Sequence, residues 1–202
     1  MTGLREQQRR RQHDAISAAA IALFLERGFD QVPVTEIAAA AGVSKPTLFK
    51  YFPTKEDLVL HRIADHQDES ARVVAAAGGD PIQALHAHFQ QGLRRNDPVT
   101  GLNDTPEVMA FHRMVFDTPS LAARLHHYMA EAERALADAL AGVMPAAPDR
   151  LAAELLAAHV QATLRVLARR NHQALAAGRP LAQVTAEASA EADRAFALLR
   201  LP

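Results

Sequence analysis

Residues 34–60 read VTEIAAAAGVSKPTLFKYFPTKEDLVL, and their spacing places a tight turn between two short helices. Ala38 is small, and Gly42 follows four residues later. A small residue lets two helices approach, and glycine supplies the left-handed backbone that such a turn needs. Ile37, Ala41, Val43 and Leu48 then fall on the inner side of the unit. The pattern predicts one helix over Val34 to about Ala41, a turn at Gly42-Val43-Ser44, and a second helix from about Lys45 to Tyr51. Pro46 is tolerated there because a first-turn N–H has no partner within the helix. The outer face of the second helix carries Lys45, Thr47, Lys50 and Tyr51. Ammonium, hydroxyl and phenol groups are donors to phosphates and base edges.

Helical spacing extends in both directions. Ile16, Ala19, Ala20, Leu23 and Phe24 predict a helix from about Arg9 to Arg27, closed at Gly28, which supplies the third wall of the unit. Phe52-Pro53-Thr54 breaks the chain, and Thr54 can cap a fourth helix from Lys55 to about Ala77. Asp57 stands where Glu or Gln would complete a capping box, and its side chain is short for that role. Gly78-Gly79 is a stop. Further helices are expected from Asp80-Pro81 to about Asn96, Pro106 to about Phe116, Thr118-Pro119 to about Val143, Asp149 to about Ala177, and Leu181 to about Arg200. A turn-rich loop at 97–105 and a linker at Pro145–Pro148 separate them. The expected fold is all-α, with about nine helices: a three-helix head with a helix-turn-helix at about 33–52, and a larger helical body. Residues 1–52 are expected to form the first domain and 53–202 the second.

Composition agrees with that class. The 202 residues are 49% hydrophobic and 22% charged, which suits a globular core and excludes a disordered tail. The chain has no cysteine, so disulfides, a thiol nucleophile and a Cys-ligated metal are excluded. No uninterrupted apolar run reaches the roughly 20 residues of a membrane helix; Ala15–Leu25 comes nearest, and a cytoplasmic location is expected. Charge is divided. Residues 1–55 hold eight Lys/Arg against five Asp/Glu, whereas 56–202 hold fourteen against eighteen. All three lysines, Lys45, Lys50 and Lys55, lie in one window, and Arg5, Arg9, Arg10 and Arg11 precede them. A basic end on an acidic protein is the footprint of a polyanion-binding module.

The stretch ALFLERGFD (22–30) together with residues 34–60 resembles the TetR-type transcriptional regulators, over about residues 10–63. The resemblance implies a homodimer, paired through its last two helices, on a palindromic double-stranded DNA operator. It implies that Lys45 and Thr47 meet base edges in the major groove and that Lys50 meets a base or a phosphate. Ser44, Tyr51 and Lys55 would be phosphate contacts. The family usually has Ser or Thr where this chain has Pro33, so that contact is absent or passes to Thr35. Phe49 and Phe52 are expected to pack rather than read bases.

The body carries no G-x-S-x-G, P-loop or H-E-x-x-H signature, so no enzyme activity and no cofactor are expected. Nine of the ten histidines lie there, but His86 and His88 point about 200° apart on a helix, and His126 and His127 also diverge, so no metal is expected. A hydrophobic effector is expected among Phe89, Met109, His112, Phe116, Tyr128 and Gln161, aromatic and methionine side chains with a few polar groups. The stretch DTPSLAARLHHYMAEAERALADAL (117–140) is loosely similar to mycofactocin-type TetR regulators, which implies an acyl or other hydrophobic ligand. The broad apolar arcs of the last two helices allow dimer or intrachain packing. Two alternatives remain: a DNA-binding regulator without a small ligand, constitutive or controlled by a partner, and a helical metal-binding protein.

Overall fold

The computed structural model describes residues 2–143 and 149–200, and no strand occurs among them. The helices are α1 (Thr2–Arg27), α2 (Val34–Ala40), α3 (Lys45–Tyr51), α4 (Asp57–Ala64), α5 (Glu69–Ala76), α6 (Pro81–Arg94), α7 (Pro106–Asp117), α8 (Pro119–Val143), α9 (Arg150–Ala176) and α10 (Leu181–Leu198). A short 3-10 turn covers Pro98–Thr100. The linker expected at Pro145–Pro148 lies outside the described residues.

Two compact units emerge: Met1–Ala64 with Ala110–Leu125, and Asp65–Met109 with His126–Pro202. In the first, Ile16, Ala20, Ile21 and Phe24 of α1 pack with Phe29, Val32, Ile37, Leu48, Phe52 and Leu58–Leu60, all buried. Ala41, Val43 and Leu23 are only half-buried; Ile21 takes the inner position that the spacing offered to Leu23. Gly42 sits at φ +65, and Val43 N donates to the Ala38 carbonyl at 2.9 Å, which closes the expected turn.

Three boundaries differ from the sequence reading. Helix α1 begins at Thr2, not near Arg9. Residues 4–12 (LREQQRRRQ) lack an apolar stripe, so periodicity misses them, yet Glu, Gln and Arg are good helix formers. The long fourth helix is two helices, α4 and α5, parted by a turn at 65–68. The reciprocal hydrogen bonds of Thr54 and Asp57 do form, in the turn just before α4. Asp57 N donates to Thr54 Oγ1 at 3.2 Å, and Thr54 N donates to Asp57 Oδ2 at 3.1 Å. Because α4 starts at Asp57 itself, the pair closes the turn before the helix and does not make the expected box. Buried Asp57 also accepts from Arg124 Nε at 2.9 Å.

In the second unit, α6, α9 and α10 enclose a core of Ile82, Leu85, Phe89, Leu93, Val160, Leu167, Val184 and Phe196. The 3-10 turn is latched to α9: Asn171 Nδ2 donates to the Thr100 carbonyl at 2.9 Å, in a buried position. Helix α9, rather than Ala15–Leu25, comes nearest to a membrane span by length and composition. Its apolar character is spread between Glu154, Arg165 and other charges, so no uninterrupted run shows it. Ala153, Ala157, Val160, Leu167 and Leu175 of this helix are buried in the unit's own core.

Candidate nucleic-acid interface

Helix α3 is set by its first turn. Ser44 holds an extended backbone, and its Oγ accepts from Thr47 N at 3.2 Å, so the serine is the N-cap. The same Oγ lies 2.8 Å from Thr47 Oγ1. Ser44 and Thr47 therefore begin as a hydrogen-bonded pair at the head of the helix. Leu48 is fully buried and fixes which face turns inward. Lys45 and Lys50 are exposed, and Tyr51 is half-buried. Lys45 Nζ lies 5.9 Å from the centre of the Phe49 ring. Phe49 was expected to pack, but it is 38% exposed and instead stands beneath that ammonium; Phe52 is buried as expected. The Tyr51 hydroxyl donates to Gln12 Oε1 at 3.3 Å, a link from α3 to α1.

Pro33 occupies the N-cap position of α2 and gives no side-chain hydrogen bond, while its carbonyl accepts from Glu36 N at 3.0 Å. Thr35, one position into the helix, is exposed. Glu36 pairs with Arg27, which ties α2 to the end of α1.

Lys55 is placed differently from the other lysines. Its Nζ donates to the Phe29 carbonyl at 2.6 Å and lies 4.6 Å from the Phe29 ring centre and 5.4 Å from that of Phe24. Desolvation lowers its pKa from the ordinary lysine value, against the raising influence of Asp30 and Glu56. One of the three ammonium donors is thus held by the Phe29 carbonyl, and two remain for a phosphate. At the start of α4, Asp57 N is bound to Thr54 Oγ1. The sequence alone could not show this clamp, because Phe29 and Lys55 are distant in the chain.

The six side chains expected around an effector fall in both units. Phe89 is buried in the second unit's core, Met109 packs against that core, and Tyr128 and Gln161 are half-buried in the same unit. His112 and Phe116 belong to the first unit, their rings stacked at 4.3 Å, with Phe116 52% exposed. A cleft of about 170 Å³ is lined by α9 and α10 residues including Arg170, Asn171, Arg179 and Glu187. Another, of about 490 Å³, lies along α5 and α6 and is lined by Val73, Ala76, Ala77, Ala84, Ala87, His88, Gln91 and Arg94. None of the six expected residues lines either cleft.

Residues 16–61 match the family described as bacterial regulatory proteins, tetR family. The HTH-type transcriptional regulator TcmR of Streptomyces glaucescens is 34% identical over 143 residues, covering 69% of this chain and 63% of TcmR. YdeS of Bacillus subtilis, an HTH-type transcriptional regulator, is 46% identical over 76 residues, covering 38% of this chain and 37% of YdeS. The chain thus spans less than two thirds of the length of these curated relatives. A crystal structure of a TetR-family regulator from Streptomyces coelicolor superposes with a TM-score of 0.62 at 25% identity, over 94% of both chains.

Proposed function

We propose that this chain, whose residues 16–61 match the tetR family of bacterial regulatory proteins, is a sequence-specific DNA-binding transcriptional repressor. The observation that carries this reading is the face of α3. Buried Leu48 turns the helix so that exposed Lys45 and Lys50 stand outside with Thr47 and Tyr51. Lys45 and Thr47 read base edges, Lys50 a base or phosphate, and Ser44, Tyr51 and Thr35 hold the backbone. Lys55 contributes in two ways: it clamps α4 to the Phe29 carbonyl, and its charge adds to the basic face. The protein acts on DNA and so works in the cytoplasm.

The active species is a homodimer on a palindrome, with half-sites about one turn (~34 Å) apart. Support comes from α9, where Leu151, Leu155 and Val166 form an exposed stripe at helical spacing. Val184, Ala188 and Ala192 of α10 are buried in their own chain. The pairing surface is therefore centred on α9. A hydrophobic effector in the body releases DNA by binding better to the form that cannot span both half-sites. Phe89, Met109, Tyr128 and Gln161 remain its candidate contacts; His112 and Phe116, in the other unit, are weaker ones.

Selection of random duplex DNA by the untagged protein at physiological salt tests the proposal. An enriched palindrome is expected. A folded protein that enriches no sequence, or only a single half-site, would overturn the operator reading.

A further inference from the structure

Ser17 is a fully buried hydroxyl on α1. Its Oγ donates to the Leu58 carbonyl at 2.9 Å and lies 3.0 Å from His61 Nδ1. A hydroxyl has one proton to give. With that proton on Leu58, Ser17 can only accept from His61. That arrangement matches the Nδ1–H tautomer of His61, in which Nε2 is the ligand nitrogen. A hydrogen bond to the far ring nitrogen is how proteins orient a histidine for metal ligation.

One helical turn before Ser17 stands His13. Its ring centre is 4.8 Å from that of His61, at 81°, and 4.3 Å from the Phe52 ring, on which it stacks. Asp14 Oδ1 lies 3.4 Å from His13 Nδ1. One ligand atom from each of His13, Asp14 and His61 falls within 4.8 Å of the others. A tetrahedral ion with bonds of about 2.0–2.2 Å draws its donors to roughly 3.4 Å apart, a closing movement of up to about 1.4 Å from the 4.8 Å span. Exposed Asp14 is free to make most of it.

We propose that His13, Asp14 and His61 form a site for a divalent transition ion such as Zn²⁺, Co²⁺ or Ni²⁺. Two imidazoles and one carboxylate suit these ions. The set offers too few oxygens for Ca²⁺ or Mg²⁺ and no thiolate for Cu⁺. Three protein ligands leave a fourth position to water. The ion would join α1 to α4 beside Phe52, the residue that ends α3. The site stands apart from the operator reading, since failure of DNA binding would leave it intact.

The test is titration of Co²⁺ into the purified, untagged full chain, followed by calorimetry and visible absorption. One ion per chain is expected, displaced by Zn²⁺. His61→Ala and Asp14→Asn should each weaken binding at least about tenfold. Asp14→Asn is the informative variant, because its side chain is 66% exposed and the fold does not rest on it. His127→Ala, which alters an exposed histidine paired with Glu131, should leave binding unchanged. Saturable binding that survives both Asp14→Asn and His61→Ala overturns the proposal. So does the lack of saturable binding below about 0.1 mM.

Discussion

Gly42 in the first unit and Gly101 in the second share a left-handed backbone, at φ +65 and +72. Their surroundings differ. A Cβ on Gly42 would meet nothing within 4 Å, whereas one on Gly101 would lie 1.9 Å from the Ala168 carbonyl oxygen. The first glycine shapes a local turn. The second lets the loop after the 3-10 turn press against α9, beside the Asn171–Thr100 hydrogen bond. The turn between α2 and α3 is thus specified by short-range rules. The body is specified by close approach between distant segments. Gly101→Ala should therefore be the most damaging single change. A loss of about 4 kcal/mol or failure to fold is expected, since backbone must move. Urea unfolding of the variant checks it. A loss below about 1 kcal/mol would mean that the latch is not tight and the contrast is false.

The two lysines Lys45 and Lys55 sharpen the contrast within the head. Lys45→Ala should weaken binding to the selected duplex about tenfold or more and relax sequence preference. The unfolding midpoint should not change, because Lys45 is exposed. Lys55→Ala should cost about 1 kcal/mol of stability, the worth of its bond to the Phe29 carbonyl. It should weaken DNA binding evenly across sequences and lower the salt slope. A larger shift of sequence preference in Lys55→Ala than in Lys45→Ala would reverse these roles.

Gly42→Ala should cost about 1 kcal/mol, from backbone strain alone. Its open surroundings leave nothing to clash with. If the loss matched that of Gly101→Ala, the difference between the two glycines would not lie in packing.

The same contrast explains what could be read from the amino-acid sequence. The bounds of α2 and α3 followed from Gly42, Ser44 and Pro46, each acting within four residues of itself. The exposed positions of Lys45 and Lys50 followed from Leu48 by helical spacing. The break between α4 and α5 did not, because Asp65-His66-Gln67-Asp68 contains neither glycine nor proline. Nor did the partners of Ser17, Lys55, Asp57 and Asn171, whose bonds join segments far apart in the chain. His13 escaped notice as a possible ligand for the same reason: its neighbour His61 is on another helix. The effector residues were chosen by side-chain type. Type alone does not tell a pocket wall from core, and burial, as at Phe89, suits both.

The smallest expected effect lies at the seam of α9 and α10. Arg170 donates to Glu191 through Nε at 2.9 Å and Nη2 at 2.6 Å, and Arg179 donates to Glu187 at 2.5 Å. These hydrogen bonds, helped by the arginine charges, hold Glu191 and Glu187 below the ordinary carboxylate range against the opposing effect of desolvation. A carboxylate whose pKa is lower folded than unfolded stabilises the protein above its unfolded value. That contribution is lost as pH falls through the folded value. Acidification should therefore weaken the wild type slightly more than Glu191→Gln, with the difference confined to the acid side of neutrality. The pairs face solvent, so the effect should be small and should shrink further with salt. Urea midpoints across the acid range, at low and high ionic strength, would show it. Identical acid limbs at low salt would mean that buried Val184, Ala188 and Ala192 hold this seam alone, by close packing of the same kind that fixes Gly101.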